Sequence, residues 1–497
     1  MSYYLGIDSS TTATKALLMD ADGAVVVVGR SEYGYETPHP LWAEQAPDLW
    51  WDATRTAVRE ALGSAGIAGT EIAAIGLTGQ MHGLILLDES GDVARPAILW
   101  NDQRTEAECD EIRHLVGRQR LIDVTGNDAL TGFTAPKILW VRNHEPEVFE
   151  RSSTMLLPKD YVRYRLTGSV AMDKAGGSGT LLFDLAARNW SPEIAEALGV
   201  PTSLLPQTFE GTEVTGVVSD EGAAATGLRP GTPVMAGGGD QAANGVGVGA
   251  IKPGIVAVSL GTSGVVFAAT NGPVFEPEGR LHAFCHAVPG MWHLMGVMLS
   301  AAGSYRWFRD TFAPQVSYES VNSAAAEVSP GSNGLVFLPY LTGERTPHPD
   351  PNARGAFVGL TVRHELGHLA RSVMEGVAFG LRDSAQLMET EMRIEEVRVS
   401  GGGAASKVWL QILADILGQP LQVIDQPEAP ALGAAMLAAT GDGAFDSVAE
   451  ASSAAVVLGD TYEPTSHADA YEETYSVYRD LYPILRDSFG RLSDLED

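Results

Sequence analysis

The stretch YYLGIDSSTTATKALLMD, residues 3–20, decides the fold. Tyr3 to Ile7 is a short apolar run, SSTT is a turn of small hydroxyl residues, and Lys15 to Met19 is a second apolar run. The stretch therefore reads as strand, turn, strand. A third strand, Val25 to Val28, follows the Asp22-Gly23 turn. The plan returns at residues 254–270, with a strand Gly254 to Leu260, the turn GTSG and a return strand Val265 to Ala269. One copy opens each half of the chain, which predicts two domains of like core topology. Glycines cluster at 245–253, and a boundary there gives domains 1–246 and 247–497.

With 497 residues the chain exceeds what a single core holds. Helical patterns at Asp48 to Leu62 and Glu106 to Val116 alternate with apolar strands at Ile72 to Leu77 and Leu84 to Leu87. In the second half, Leu366, Leu369, Val373, Val377 and Leu381 keep a helical period within Glu365 to Leu387. A strand Val397 to Ser400, three glycines and a helix Ser406 to Leu417 follow. Strands and helices mixed in both halves predict an α/β fold.

Three turns carry the chemistry. In GGGDQAAN (237–244), Asp240 follows a short strand, Pro233 to Ala236, and a glycine run, so no side chains crowd its approach. A carboxylate placed so suits a general base for a hydroxyl. Asp8 opens a hydroxyl-rich turn whose backbone N–H groups can cradle phosphate, with Lys15 near enough to add charge and Asp8 able to hold a Mg²⁺ ion through water. The turn SLGTSG (259–264) offers a second cradle, with Thr262 as its contact. Together they point to phosphoryl transfer onto a hydroxyl. VSGGGAASKVW (399–409) lacks the Gly-Lys-Ser/Thr ending of a Walker loop, yet its glycines let backbone approach an adenosine. Met81 and His82 in TGQMHG follow a strand, where α/β folds bind ligands, and Trp100 sits similarly beside Asn101 and Asp102. Each of these segments also has a plain structural reading, as an ordinary turn or a packed core residue.

Two motifs point elsewhere. HELGH (364–368) matches the zinc-protease pattern, and a helix there would put His364 and His368 on one face. Arg371 and Met374 occupy the places of the metzincin glycine and third histidine, while Glu389 or Glu391 is open as a third ligand of another zincin type. GVGVGA (245–250) imitates a dinucleotide fingerprint but follows DQAAN rather than a strand.

A net charge of −30 disfavours nucleic acid and anionic membranes as partners. Two cysteines, Cys109 and Cys285, make neither a disulfide framework nor a metal motif, which fits a reduced cytoplasm. The residues MSYYLGIDSS do not read as a secretory signal, and no apolar run reaches membrane-spanning length.

The chain resembles the FGGY carbohydrate kinases of the sugar kinase and actin superfamily. GFTAPKILWVRNH (132–144) and GAFVGLTVRHELGHLARSVME (355–375) match two signatures of that family, and the likeness covers nearly the whole chain. HPLWAEQ (39–45), GQMHG, RPAILWNDQRT (95–105), LLPKDYVRYRLTG (156–168), FCHAVPGMWHLMGVMLSAA (284–302) and LPYLTGERTPH (338–348) are similar to its xylulose-directed branch. The resemblance implies a two-domain, ribonuclease H-like fold with a cleft, and phosphorylation of D-xylulose to D-xylulose 5-phosphate by ATP and Mg²⁺. Another ketose or a polyol (ribulose, xylitol, glycerol, gluconate) is the alternative substrate. It further implies Asp240 as base, Asp8 as metal-side aspartate, and Met81, His82, Trp100 and Gln241 as sugar contacts. Thr11, Thr12 and Lys15 fall in its first phosphate loop, Gly261 and Thr262 in its second, and Gly401, Gly402, Gly403 and Ser406 in its adenosine loop, with Gly303 a further nucleotide contact. Ser10 stands where the family has glycine. An actin-like nucleotide-binding module without sugar chemistry and a zinc protease are the readings from other classes. Oligomeric state stays open, a homodimer included.

Overall fold

The computed structural model describes residues 2–426 and 428–495. The first half opens with β1 (Tyr3–Ser9), β2 (Ala13–Asp20) and β3 (Val25–Glu32), then α1 (Asp48–Ala65), β4 (Ile72–Gly79), β5 (Val214–Val217), β6 (Pro233–Met235) and the short β7 (Gly238–Gly239). Helix α2 (Asp240–Gly247) leads into β8 (Ile255–Leu260), β9 (Gly264–Thr270), β10 (His282–Cys285) and β11 (Trp292–Met298). Then come α3 (Ala302–Phe312), α4 (Tyr318–Ala326), α5 (Leu366–Glu389), β12 (Glu396–Ser400), α6 (Lys407–Leu417), β13 (Leu421–Ile424), α7 (Ala429–Gly441) and β14 (Leu458–Tyr462).

Two sheets share one topology. The first runs β3-β2-β1-β4-β6-β5, and the second runs β11-β9-β8-β12-β13-β14 with β10 added beside β11. In each, three antiparallel strands are followed by two parallel ones and an antiparallel edge strand. The step from β1 to its parallel neighbour β4 needs a crossover, supplied by α1, and α5 does the same between β8 and β12. Strand β1 is buried on both faces beyond Tyr3, which explains its near-continuous apolar run. The two hairpins foreseen in the sequence are present, and both strands of the first are longer than foreseen. Asp8 consequently lies inside β1 rather than in the turn, and Lys15, foreseen at the start of the second strand, lies within β2.

The second half lends a helix to the first. Although α7 follows the second sheet, it packs across β1 and β4 of the first and against α2. Contact is so close that a Cβ on Gly6 would lie 2.9 Å from the carbonyl carbon of Ala431, and one on Gly76 would lie 2.6 Å from that of Ala434. The glycines of GVGVGA have the same cause: a Cβ on Gly247 would lie 2.6 Å from the carbonyl carbon of Ala429. HELGH is not one helical face. α5 begins at Leu366, so His364 precedes it and its Nδ1 accepts the Thr361 N–H (2.9 Å), while the His368 Nδ1 accepts the Glu365 N–H (3.1 Å) in a capping box. Among the described residues no group of three or more His, Cys, Asp or Glu is placed to hold a metal ion. Nor is any described helix long and apolar enough to cross a membrane. Cys109 and Cys285 are free and buried.

Candidate active site

Strands β1, β4 and β7 run parallel and end together. In register, Lys15 of β2, Asp8 of β1, Thr78 of β4 and Gly238 of β7 form one row across four strands. Asp240 starts α2 directly past that row. The turn before it demands glycine, since Gly237 has φ +72° and a Cβ there would lie 2.7 Å from the carbonyl carbon of Leu77. Gly239 is bare for another reason: a Cβ would meet the Met81 Cγ at 2.6 Å, so Met81 packs directly against the strand that leads into Asp240.

The Asp240 carboxylate sits at a helix N-terminus, and its Oδ1 accepts the Gln241 N–H (2.8 Å). Burial and the charge of Asp8 nevertheless push it up to about 7. Burial also raises Asp8, to about 6, with Lys15 opposing and Glu428 adding to the shift. Lys15 is committed to a neighbour, its Nζ lying 2.6 Å from Glu428 Oε2 at the start of α7. The residue expected to lend charge to phosphate thus ties the helix from the second half to the Asp8 row. Asp8 Oδ1 and Thr78 Oγ1 are buried without hydrogen-bond partners among the described residues.

The first turn is held from outside. Tyr33 OH donates to Ser10 O (2.7 Å), the Tyr33 N–H to Thr12 O (3.0 Å), Gln45 Nε2 to Thr11 O (3.1 Å) and Trp100 Nε1 to Thr11 Oγ1 (3.0 Å). Trp100 is 42% exposed, so its ring stands open at the mouth while its nitrogen is engaged. His82 takes φ +67° and its Nδ1 lies 2.6 Å from Gly179 O. Because the carbonyl can only accept, Nδ1 carries the proton and Nε2 is left as an acceptor. Burial lowers the ring to about 3, which keeps it neutral. Phe133 meets it edge-on at 5.0 Å.

In the second half, a cavity of about 920 Å³ gathers Gly261, Thr262, Gly303, Gly402, Gly403 and Ser406. Its size suits a nucleotide. The Thr262 carbonyl accepts N–H groups from Ala301 (2.9 Å) and Gly303 (3.1 Å), which fixes the β8–β9 turn against α3. Gly401 has φ +96° and abuts Leu260 at the end of β8, but it does not line the cavity. Ser406 caps α6 through the Trp409 N–H (3.4 Å). Sequence reading missed Arg306, Lys407, Tyr305 and Asn322 on the walls. These lie on helices whose periodicity reports core contacts, and only the glycine-rich turns nearby signalled a ligand.

Family comparison agrees with this geometry. Residues 3–247 match the N-terminal domain, and residues 256–441 the C-terminal domain, of the FGGY family of carbohydrate kinases. The chain is 44% identical over 437 residues to the xylulose kinase of Escherichia coli (strain K12), covering 88% of this chain and 89% of that protein. It is similar to the crystal structure of xylulose kinase from Rhodospirillum rubrum, with a TM-score of 0.92, 32% identity, and coverage of 98% of this chain and 100% of that one. It is also similar to a gluconate kinase from Lactobacillus acidophilus, with a TM-score of 0.94, 28% identity, and coverage of 99% of both chains. With two sheets of one topology, a carboxylate row at the end of the first and a nucleotide-sized cavity on the second, the chain belongs to the FGGY family of carbohydrate kinases.

Proposed function

We propose that this kinase transfers the γ-phosphoryl group of ATP to the 5-hydroxyl of D-xylulose, giving D-xylulose 5-phosphate and ADP, with Asp240 as general base. The observation that carries the mechanism is the carboxylate of Asp240 at the end of the parallel strands, raised to about 7 by burial and by Asp8. As the sugar oxygen attacks phosphorus, its proton passes to Asp240, the new O–P bond forms and the bond to the β-phosphate oxygen breaks. Little covalent work is asked of the protein beyond alignment and charge stabilisation. Met81 and His82 orient the sugar, and the turns at Thr11–Thr12 and Gly261–Thr262 present N–H groups and hydroxyls to phosphate. The cavity cations Arg306 and Lys407 add positive charge.

Asp8 fits a role beside Mg²⁺. Its Oδ1 is buried and unsatisfied among the described residues, and one carboxylate with water and phosphate oxygens is the donor set this ion prefers. When bound, the ion would neutralise charge on the transferred group. The E. coli and R. rubrum relatives are xylulose kinases, which supports xylulose as the substrate. The gluconate kinase shares the same fold, so side chains rather than architecture select the sugar.

The test is an ADP-release assay over D-xylulose, D-ribulose, xylitol, glycerol and D-gluconate, with the product's phosphorylated position read by NMR. D-xylulose should lead in kcat/KM by about tenfold or more and carry phosphate on O5. A better rate with another sugar, or phosphate elsewhere, would reject the assignment. The pH profile follows from the same carboxylate. Only its ionised form accepts a proton, so kcat/KM for sugar should fall as pH drops through about 7 and approach tenfold per unit below it. A flat profile down to pH 5 would take Asp240 out of the step.

A further inference from the structure

Four charged side chains are sealed inside the first half: Lys159, Asp160 and Arg163 on the helix Pro158–Thr167, and Asp173 just before the short helix Lys174–Ser178. None is more than 1% exposed. They lie against the end of β4, where a Cβ on Gly79 would sit 3.3 Å from the Lys159 Cβ. Lys159 Nζ bridges two carboxylates, lying 2.5 Å from Asp160 Oδ1 and in direct contact with Asp173 Oδ1. Asp160 Oδ1 also accepts from Arg163 Nη2 (3.2 Å). The order is Arg163, Asp160, Lys159, Asp173, with two charges of each sign. Apolar side chains of like volume often fill such a space as stably. The use of the chain of ions therefore lies in what its two ends hold.

One end holds the turn of the base. Arg163 Nη1 donates to Met235 O (3.0 Å) and Nη2 to Ala236 O (2.7 Å), the carbonyls immediately before the Gly237–Gly239 run and Asp240. Thr215 steadies the guanidinium: its Oγ1 accepts from Nη1 and donates to Val234 O (3.0 Å). The other end holds the Met81–His82 pair. Asp173 gives one oxygen to Lys159 and the other, Oδ2, to the Gly176 N–H (2.7 Å), which starts the short helix. That helix delivers Gly179, whose carbonyl oxygen lies 2.6 Å from His82 Nδ1. A Cβ on Gly179 would lie 2.8 Å from the Met81 Cε, so Met81 rests on the same residue.

We propose that Arg163 and Asp173 are positioning residues. Through the ions that join them, they set the Asp240 carboxylate and the Met81–His82 pair at a fixed separation, so that the sugar hydroxyl meets the base. Both act through other residues. A lysine in place of Arg163 keeps the charge but lacks the planar fork that reaches two carbonyls at once. An amide in place of Asp173 has one oxygen, so it gives up either Lys159 or the Gly176 N–H. The two ends therefore fail differently: the first misplaces the base, and the second loosens the hold on the sugar. This inference rests on the roles proposed above for Asp240, Met81 and His82.

The test is steady-state kinetics with D-xylulose and ATP on wild type, Arg163→Lys, Thr215→Val and Asp173→Asn, alongside thermal unfolding of each protein. Arg163→Lys should lower kcat by about 10²-fold while KM for ATP stays within about threefold. Thr215→Val removes only the hydroxyl that steadies Nη1 and should lower kcat by about three- to tenfold. Asp173→Asn should raise KM for D-xylulose by about tenfold and leave kcat within about threefold. A purely structural chain of ions would instead lower kcat in every variant in step with the unfolded fraction and leave both KM values alone, and that result would overturn the proposal. An unchanged kcat in Arg163→Lys would do so too. Should Arg163→Lys not fold, Thr215→Val decides, and wild-type kcat there overturns the role of Arg163. If wild type fails on D-xylulose, or Asp240→Asn turns over like wild type, the underlying reading of substrate or base fails. If both hold and the split between kcat and KM is absent, only the positioning role is wrong.

Discussion

Asp240→Asn should turn over roughly 10²–10⁴-fold more slowly than wild type, a loss of about 3–5 kcal/mol of transition-state stabilisation, while sugar affinity stays within about threefold. The amide keeps the size of the carboxylate and an oxygen for the Gln241 N–H, so the turn is undisturbed. What disappears is the acceptor for the sugar proton. The same variant should be more stable than wild type at pH 8. Burial and Asp8 raise the folded-state pKa of Asp240 from 3.8 to about 7, so the folded protein binds more protons than the unfolded chain between those values. Stability contributed by the protonated acid is full below about pH 4 and is lost as pH rises towards about 7. Asparagine avoids that loss, so the two proteins should unfold alike near pH 4 and differ by on the order of 2 kcal/mol at pH 8, after allowance for solvent screening. Calorimetric sugar titration, steady-state kinetics and unfolding at the two pH values measure all three quantities. A slow variant that is also less stable at pH 8 would show that the substitution damages the fold rather than the chemistry.

The second large effect is on the fold itself. Gly76→Ala should cost more than about 4 kcal/mol and lower the unfolding temperature by about 8 °C or more. Its Cβ would be driven into the Ala434 carbonyl, with backbone of β4 on one side and of α7 on the other, and neither can rotate away. Thr78 of the carboxylate row lies two residues beyond on β4, and Glu428, which holds Lys15, lies at the start of α7. Activity should therefore fall with stability. Gly63→Ala on α1 is the control: a Cβ there meets nothing within 4 Å, and the helix should gain about 0.5–1 kcal/mol. Equal denaturation midpoints for the two variants would remove the close α7 contact from the account.

The hairpins were legible because strand and turn are local patterns, and they gave the duplicated topology. Asp240 and the triple glycine were legible too, although the glycines serve neighbours that sequence does not display, Leu77 and Met81 among them. Long-range geometry was hidden. Spacing alone put Lys15 near the first turn, and only the fold brings Glu428 to it. The Ala-rich α7 is buried all round and carries no stripe that would assign it to the first sheet. HELGH matches a metal-binding pattern in sequence, yet its first histidine precedes the helix, which the capping box starts two residues later.

The most direct test of Asp240 as base is a structure with D-xylulose and a non-hydrolysable ATP analogue bound together. The account predicts the sugar O5 about 2.6–3.2 Å from the Asp240 carboxylate and facing the terminal phosphorus. O5 turned away from that carboxylate, with another group in hydrogen-bond reach of its proton, would contradict it.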